Sequence, residues 1–92
     1  MQTRFMDSEE GFELLNDNEE AVGKIVWKLE GDTMVMNGTF IDPSMRGQHG
    51  GETLLDAAAN YARQNNYKMK AVCPYVIKKF RETTNYVDVE AS

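Results

Sequence analysis

The residues best suited to chemistry in this chain begin with a glycine-rich loop at residues 41–52. An apolar, β-branched run leads into the loop and a helical pattern leads out of it. Glycines let a backbone approach a ligand closely, and a helix start offers unpaired N–H groups and a positive dipole end. The loop therefore predicts a site for phosphate or pyrophosphate. The alternative interpretation is a plain glycine-rich turn before a helix.

The single cysteine, Cys73, is the strongest candidate for a nucleophile. It falls at the end of a predicted strand and just before Pro74, which suits the first position of a helix. A helix start lowers the pKa of a thiol and favours the thiolate. The alternative is a small buried apolar residue, which is the commonest role of a free cysteine.

Three further side chains are weaker candidates. His49 is the only histidine and the only side chain that titrates near neutral pH without perturbation, so it is a candidate general base. Its place in the glycine loop argues for the phosphate side of a site instead. Tyr75 and Tyr86 are candidate hydroxyl donors, or core residues. One histidine and one cysteine far apart give no metal-ligand spacing, and we predict no metal site.

Composition limits the class of protein. The chain has 92 residues, so we expect one domain over residues 1–92, with residues 1–10 loosely ordered. The net charge is −5, and no basic tract is present, which argues against nucleic-acid binding. No apolar run is long enough for a membrane span, so we expect no membrane association. One cysteine fits a reducing cytoplasm.

The hydrophobic pattern predicts an α+β fold. Strands are expected at 11–15, 21–30 and 33–41, joined by short turns as an antiparallel meander. In the third strand we expect Met34, Met36 and Phe40 on one face, and Val35 and Ile41 on the other. A helix over 51–64 is expected to end at Asn65-Asn66 and to place Leu54, Leu55, Ala58, Tyr61 and Ala62 on one apolar face. With a strand over 68–73 it forms a right-handed parallel crossover. A second helix from 75 to about 84 and a tail or short edge strand at 86–89 complete about four strands and two helices packed on the sheet.

Two segments together resemble a known family. Pro43 and Arg46-Gly47-Gln48, followed by a helix, Cys73-Pro74-Tyr75 and Tyr86, resemble the GNAT superfamily of N-acetyltransferases, most closely its small, single-domain YjdJ-like branch. The resemblance extends from about Phe12 to Val89. It implies a compact, minimal version of the GNAT fold and a cytoplasmic protein, as a monomer or weak dimer.

The resemblance also implies binding of acetyl-CoA as co-substrate. The family fingerprint falls on Arg46, Gly47, Gln48, His49, Gly50 and Gly51, with His49 where the middle glycine is expected. The amides of residues 47–52 would hold the pyrophosphate, and the pantetheine would enter between two splayed parallel strands. The CoA-binding residues implied are Ile41, Arg46, Gly47, Gln48, His49, Gly50, Gly51, Glu52, Pro74 and Tyr75. Lys78, Lys79 and Arg81 are candidates for the adenosine phosphates, or a solvated helix face.

Two functions follow from these expectations. The first is an acetyltransferase that moves an acetyl group to an unidentified amine, of a small molecule or a protein, with Cys73 as the candidate catalytic residue. The second is a CoA or acyl-CoA binding module without turnover, favoured because the chain is too short for the strands that usually wall the acceptor site. A structural protein whose loop binds nothing is a third, weaker reading.

Overall fold

The computed structural model describes residues 1–45 and 47–91, which form one mixed sheet with two helices. The strands are β1 (Gln2–Phe5), β2 (Gly11–Leu15), β3 (Ala21–Glu30), β4 (Thr33–Ile41) and β5 (Lys68–Ala71). The helices are α1 (Gly50–Asn65) and α2 (Pro74–Glu82), and a 3-10 turn spans Pro43–Met45. The strand order β1-β2-β3-β4-β5 follows the chain. This is the expected small α+β fold, with five strands rather than four. Neither helix is long and apolar enough to cross a membrane.

The expected antiparallel meander and parallel crossover are both present. β2, β3 and β4 pair antiparallel, whereas β5 pairs parallel to β4 from Thr33↔Lys68 to Met36↔Ala71. A parallel partner needs a connection long enough to return to the same end of the sheet, and α1 supplies it. Asn66 ends α1 in the left-handed conformation at φ 58°, as the Asn65-Asn66 pair predicts.

The core lies between α1 and one face of the sheet. The expected apolar stripe of α1 is confirmed, since Leu54, Leu55, Ala58 and Ala62 are fully buried. They pack in one cluster with strand residues such as Ile25, Trp27, Met34, Met36 and Met69. Burial of this apolar surface is the main force that holds the two layers together.

The N-terminal segment contradicts the expectation of loose order. Residues 2–5 form β1, which pairs with β2 from Gln2↔Leu15 to Phe5↔Phe12. Arg4 forms an ion pair with Glu13 on the facing strand, at 2.9 Å between Nη2 and Oε1. Cross-strand pairs hold β1 in place together with Phe5, whose ring stacks on that of Tyr61 in α1 with centroids 5.0 Å apart.

A bulge in β4 overturns the predicted facing of its second half. Val26 pairs with Gly38 but Trp27 pairs with Met36, so Asn37 is an extra residue between the two pairs. One inserted residue reverses the alternation of side chains beyond it. Phe40 therefore lies on the face opposite Met36 and is 56% exposed, whereas Ile41 packs against the core.

Two predicted element ends also need correction. β5 ends at Ala71 rather than at residue 73, and α2 runs from Pro74 to Glu82 instead of from 75 to about 84. The C-terminal tail makes an edge pairing slightly later than expected. Met69 N donates to Val89 O at 2.6 Å and Ala91 N donates to Met69 O at 2.8 Å, which covers the outer edge of β5.

Candidate functional site

The two parallel strands separate where the resemblance implies an opening. The last β4–β5 pair is Met36↔Ala71, and the Met36 carbonyl then accepts hydrogen bonds from both Val72 N (3.3 Å) and Cys73 N (2.8 Å). From there the chain turns into α2, while β4 continues from residue 37 to 41. Among the described residues, that part of β4 has no strand on its β5 side. We call this gap between β4 residues 37–41 and the start of α2 the wedge.

Cys73 lies at the closed end of the wedge as the N-cap residue of α2. Its side chain is 6% exposed, and Sγ lies 3.6 Å from Thr39 Oγ1 across the gap. Burial raises the pKa of the Cys73 thiol, but the Thr39 hydroxyl and the backbone N–H groups of Val76 and Tyr75 together lower it more, so the net pKa is below its ordinary value. These amides favour the thiolate electrostatically, although the side chain forms no capping hydrogen bond with them.

Two of the three loop glycines lie where a side chain would crowd its neighbours. A Cβ on Gly50 would lie 2.7 Å from Leu14 Cδ2 in the core, and a Cβ on Gly51 would lie 2.7 Å from the Tyr75 hydroxyl oxygen. Gly47 differs, because its φ of 82° requires a left-handed conformation and its Cβ position is open. The glycine pattern is therefore explained in part by close packing rather than by a ligand.

His49 begins α1 in the left-handed conformation, at φ 58° and ψ 27°. This is the conformation for which a glycine would be favoured, and histidine adopts it more readily than most residues do. The imidazole is 78% exposed, and Nδ1 lies 3.5 Å from Glu52 Oε2. The side chain is thus directed to the surface and to its own helix, and no described contact joins it to Cys73.

Glu52 connects α1 to α2 through an ion pair. Its Oε1 accepts a hydrogen bond from Lys79 Nζ at 2.7 Å, and this bond lowers the pKa of Glu52. The same Lys79 ammonium lies 5.7 Å from the centroid of the Tyr75 ring and 3.6 Å from Glu82 Oε1. Because Tyr75 also contacts Gly51, the glycine loop and the Cys73–Tyr75 segment adjoin each other.

The two candidate tyrosines have different surroundings. Tyr86 is 5% exposed, stacks near Phe80 and donates its hydroxyl proton to Asp56 Oδ1 at 2.6 Å. Burial raises the pKa of Tyr86, and the hydrogen bond to Asp56 raises it further. Burial also raises the pKa of Tyr75. Tyr86 connects the C-terminal tail to α1 through its hydrogen bond to Asp56, whereas Tyr75 lies beside the glycine loop.

The remaining predicted residues divide by position. Gln48 is an exposed loop residue, Ile41 ends β4 beside Gly50, and Pro74 occupies the first turn of α2. Lys78 and Arg81 are exposed on α2, whereas Lys79 forms an ion pair with Glu52 in the first turn of α1. Arg46 lies outside the described residues.

Sequence reasoning missed Thr39, the side chain nearest the thiol. Its facing depends on the bulge at Asn37, which turns residue 39 toward the core side and so toward Cys73. The signal available was Asn37-Gly38 inside an otherwise apolar strand, since glycine within a strand often marks a bulge. The Lys79–Glu52 pair was also missed, because it joins residues 27 positions apart on separate helices.

Comparisons with known proteins show the family to which the chain belongs. A family profile described as GCN5-related N-acetyl-transferase matches residues 11–89. The chain therefore belongs to the GCN5-related N-acetyltransferase family. A search of curated proteins finds no match.

Solved structures show the same fold. An NMR structure of a GCN5-like protein from Staphylococcus aureus has a TM-score of 0.78 at 23% identity, and the match covers 99% of this chain and 88% of that one. Rv2747 from Mycobacterium tuberculosis, solved in complex with CoA, has a TM-score of 0.58 at 19% identity, over 65% of this chain and 38% of that chain. A GNAT-family acetyltransferase from Staphylococcus aureus Mu50 has a TM-score of 0.59 at 18% identity, over 82% and 50%. Against the last two, this chain spans half or less of the longer protein.

Proposed function

We propose that this protein transfers an acetyl group from acetyl-CoA to an amine. The observation that carries the proposal is the junction at the wedge, where Cys73 with its lowered pKa and the glycine loop meet through the Tyr75–Gly51 contact. Membership in the GCN5-related family supports acetyl-CoA as the donor. The branch within the superfamily and the acceptor stay predictions.

The chain's residues fit the two ends of acetyl-CoA in different ways. The start of α1 has no side-chain cap, so its first N–H groups are free to hold phosphate oxygens. The wedge offers the unpaired edge of β4 to the amides of the pantetheine arm, in the manner of an added strand. Lys79 would offset the charge of Glu52 beside the phosphates.

Cys73 supplies the proposed chemistry. Its thiolate attacks the acetyl carbonyl, the carbon–sulfur bond to CoA breaks, and the CoA thiolate leaves and takes a proton from solvent. The acetyl group is then attached to Cys73 as a thioester, and a neutral amine attacks it, releasing the amide and restoring the thiol. The helix-start N–H groups and Thr39 stabilise the thiolate at both ends of this cycle.

A binding module without turnover is the second candidate, and one observation favours it. Among the side chains that the structure describes, Thr39 is the polar partner of Cys73, and neither a carboxylate nor His49 contacts the thiol. Without a general base, an acceptor amine has to arrive deprotonated. The module would bind CoA at the same loop and wedge.

Steady-state turnover distinguishes the two candidates. Acetyl-CoA would be incubated with the protein and a panel of amines at several pH values, with release of free CoA thiol as the signal. Amine-dependent release, with the acetylated amine identified by mass spectrometry, is the expected result. A protein that is stabilised thermally by CoA but gives no release above the uncatalysed rate would be a module. CoA at about 100 times its Kd should add about 2.7 kcal/mol to the unfolding free energy.

A further inference from the structure

The sheet surface opposite α1 and α2 is uncovered by any described helix, and we call it the open face. Side chains alternate along β3, so Lys24, Val26 and Lys28 lie opposite the buried Ile25 and Trp27. The strand registers extend this surface across all five strands. The charged residues at its register positions are Arg4, Glu13, Lys24, Lys28, Glu30, Lys68 and Lys70.

The open face is basic although the chain is acidic. The Lys68 side chain is directed away from this face, since its Nζ donates to the Asp88 carbonyl of the tail at 2.6 Å. The face therefore carries four basic side chains against two acidic ones, whereas the whole chain has 10 basic and 15 acidic residues. Lys28 pairs with Val35, which pairs with Lys70, so two ammonium groups flank one half-buried valine in a single row. Charges this close in register act together on a partner surface.

The open face also has an apolar end. Phe40 is 56% exposed, and Lys24 Nζ lies 5.3 Å above the centroid of its ring. A groove of about 380 Å³ runs beside this pair between β2, β3 and β4, with Val22 and Asp42 among the residues that line it. An exposed aromatic residue next to cations is typical of a surface that contacts another molecule.

The open face adjoins the wedge through β4. Phe40 and Thr39 are consecutive residues with opposite facing, so the exposed ring lies one residue from the hydroxyl that contacts Cys73. A molecule held on the open face can therefore present a group to the thiol through the gap beside β4. This places the surface beside the chemistry assigned to Cys73.

We propose that the open face docks an acidic segment of a partner protein, which carries the acceptor amine. That the segment carries the acceptor amine rests on the proposed transferase function, whereas the docking itself does not. An acidic protein segment fits because it complements the row of lysines and Phe40. A long nucleic acid would also meet the acidic loops at both strand ends, which contain Asp7, Glu9, Asp17 and Glu19. A second open face would oppose like charges.

The test uses a fluorescein-labelled peptide with one lysine flanked by glutamates, and binding is measured by fluorescence anisotropy without acetyl-CoA. We expect binding that weakens as salt is raised, and amide NMR shifts on Lys28, Val35 and Lys70. The double variant Lys28→Gln/Lys70→Gln should weaken binding by about fivefold, as expected for two exposed charge pairs. The matched peptide with glutamines should not bind.

The control variant is Asn18→Asp/Gln64→Glu, which lowers the net charge by the same amount at exposed sites on a turn and on α1. We expect it to bind the peptide nearly as well as the parent protein. Equal weakening in both variants would show an effect of net charge alone and would overturn the proposal. So would peptide binding without shifts on the open face.

Three other results separate the inference from the proposed function. Peptide binding with neither acetylation of its lysine nor turnover of small amines supports the docking surface and contradicts the transferase. Turnover of small amines without peptide binding overturns the docking surface and leaves the transferase. The proposal is overturned if an oligonucleotide binds more tightly than the peptide through Lys28 and Lys70. It is also overturned if sedimentation shows a dimer that the double variant abolishes, because the open face would then bind a second copy of the chain.

Discussion

The two helices begin in contrasting surroundings on either side of the candidate site. α1 starts at His49, exposed, in a left-handed conformation and beside the ion pair of Glu52 with Lys79. α2 starts at Cys73, buried and in contact with Thr39. Neither start has a side-chain cap. The contrast teaches that one kind of element, an uncapped helix start, can serve the charged end of a ligand when it is exposed and a reacting thiolate when it is buried.

The largest expected effect comes from removing the thiol. Cys73→Ala should lower acetyl transfer by roughly a thousandfold or more if Cys73 accepts the acetyl group, since loss of a nucleophile removes the covalent route. CoA affinity should change little, because the charged end of the ligand lies at α1. Transfer is followed by thiol release, and acid-quenched wild-type protein should carry one acetyl group on Cys73. Equal rates in wild type and Cys73→Ala would show that Cys73 lines the pocket without accepting the acetyl group.

The next effect concerns the pKa of the thiol. Thr39→Val removes a hydroxyl that favours the thiolate, so the pKa of Cys73 should rise, whereas Thr39→Ser keeps the hydroxyl and serves as the control. Because the thiolate is the reactive form, the rate of acetyl transfer at pH 7 should fall in Thr39→Val and recover as the pH is raised. The pKa is read from the carbon shift of ¹³C-labelled Cys73. An unchanged titration would mean that the helix start alone lowers the pKa of Cys73.

The ion pair at α1 should give two smaller effects of opposite sign. Lys79→Met leaves the Glu52 carboxylate uncompensated beside the phosphates, so CoA affinity should fall several-fold. Glu52→Gln removes that carboxylate and frees the Lys79 ammonium, so affinity should rise several-fold. Calorimetric titration of both variants at low and moderate salt gives the comparison. Changes of the same sign would show that the pair holds the helices together rather than tuning the loop.

The pH dependence of this pair has a definite sign. Lys79 lowers the pKa of Glu52 in the folded protein, so the pair contributes stability above the ordinary glutamate pKa of 4.5. That contribution is lost as the pH falls through the lowered folded pKa. Wild type should therefore lose more stability than Glu52→Gln on acidification below about pH 4.5, and thermal melts of the two proteins at matched pH measure the difference.

The smallest effect concerns backbone strain at the start of α1. His49→Gly should raise the unfolding free energy by about 0.5 kcal/mol, since relief of left-handed strain of about 1 kcal/mol is partly offset by the entropy glycine loses on folding. Asn66→Gly is a matched control, because Asn66 has the same φ of 58° at the other end of α1. Only His49→Gly should also raise CoA affinity. A gain in affinity from Asn66→Gly would contradict this assignment.

How much the sequence predicts depends on the kind of contact. The meander, the crossover and the α1 stripe were predictable because each follows from local periodicity and short turns. β1 was not, because its order depends on pairing with β2 across the sheet. The facing of Phe40 and Ile41 was wrong for a similar reason, since one bulged residue, Asn37, reverses the alternation without altering the apolar composition.

The candidate site was predictable in its parts but not in its connections. The glycine loop and the Cys73-Pro74-Tyr75 segment were recognised by residue type. Their meeting through Tyr75 and Gly51, and the contact of Thr39 with Cys73, depend on tertiary packing between distant residues. Packing also gives Gly50 and Gly51 a structural role that the loop pattern alone assigned to a ligand.

The central claim is that both helix starts belong to one CoA site, and titration of isotope-labelled protein with acetyl-CoA tests it most directly. Amide NMR shifts should appear together, with one Kd, at residues 47–52 and at Cys73 and Tyr75, while the amide signal of Asn66 at the far end of α1 does not shift. Shifts at the loop alone would show that only the start of α1 belongs to the CoA site. Absence of shifts at millimolar ligand would contradict the account, since the glycine loop would then be a packing turn.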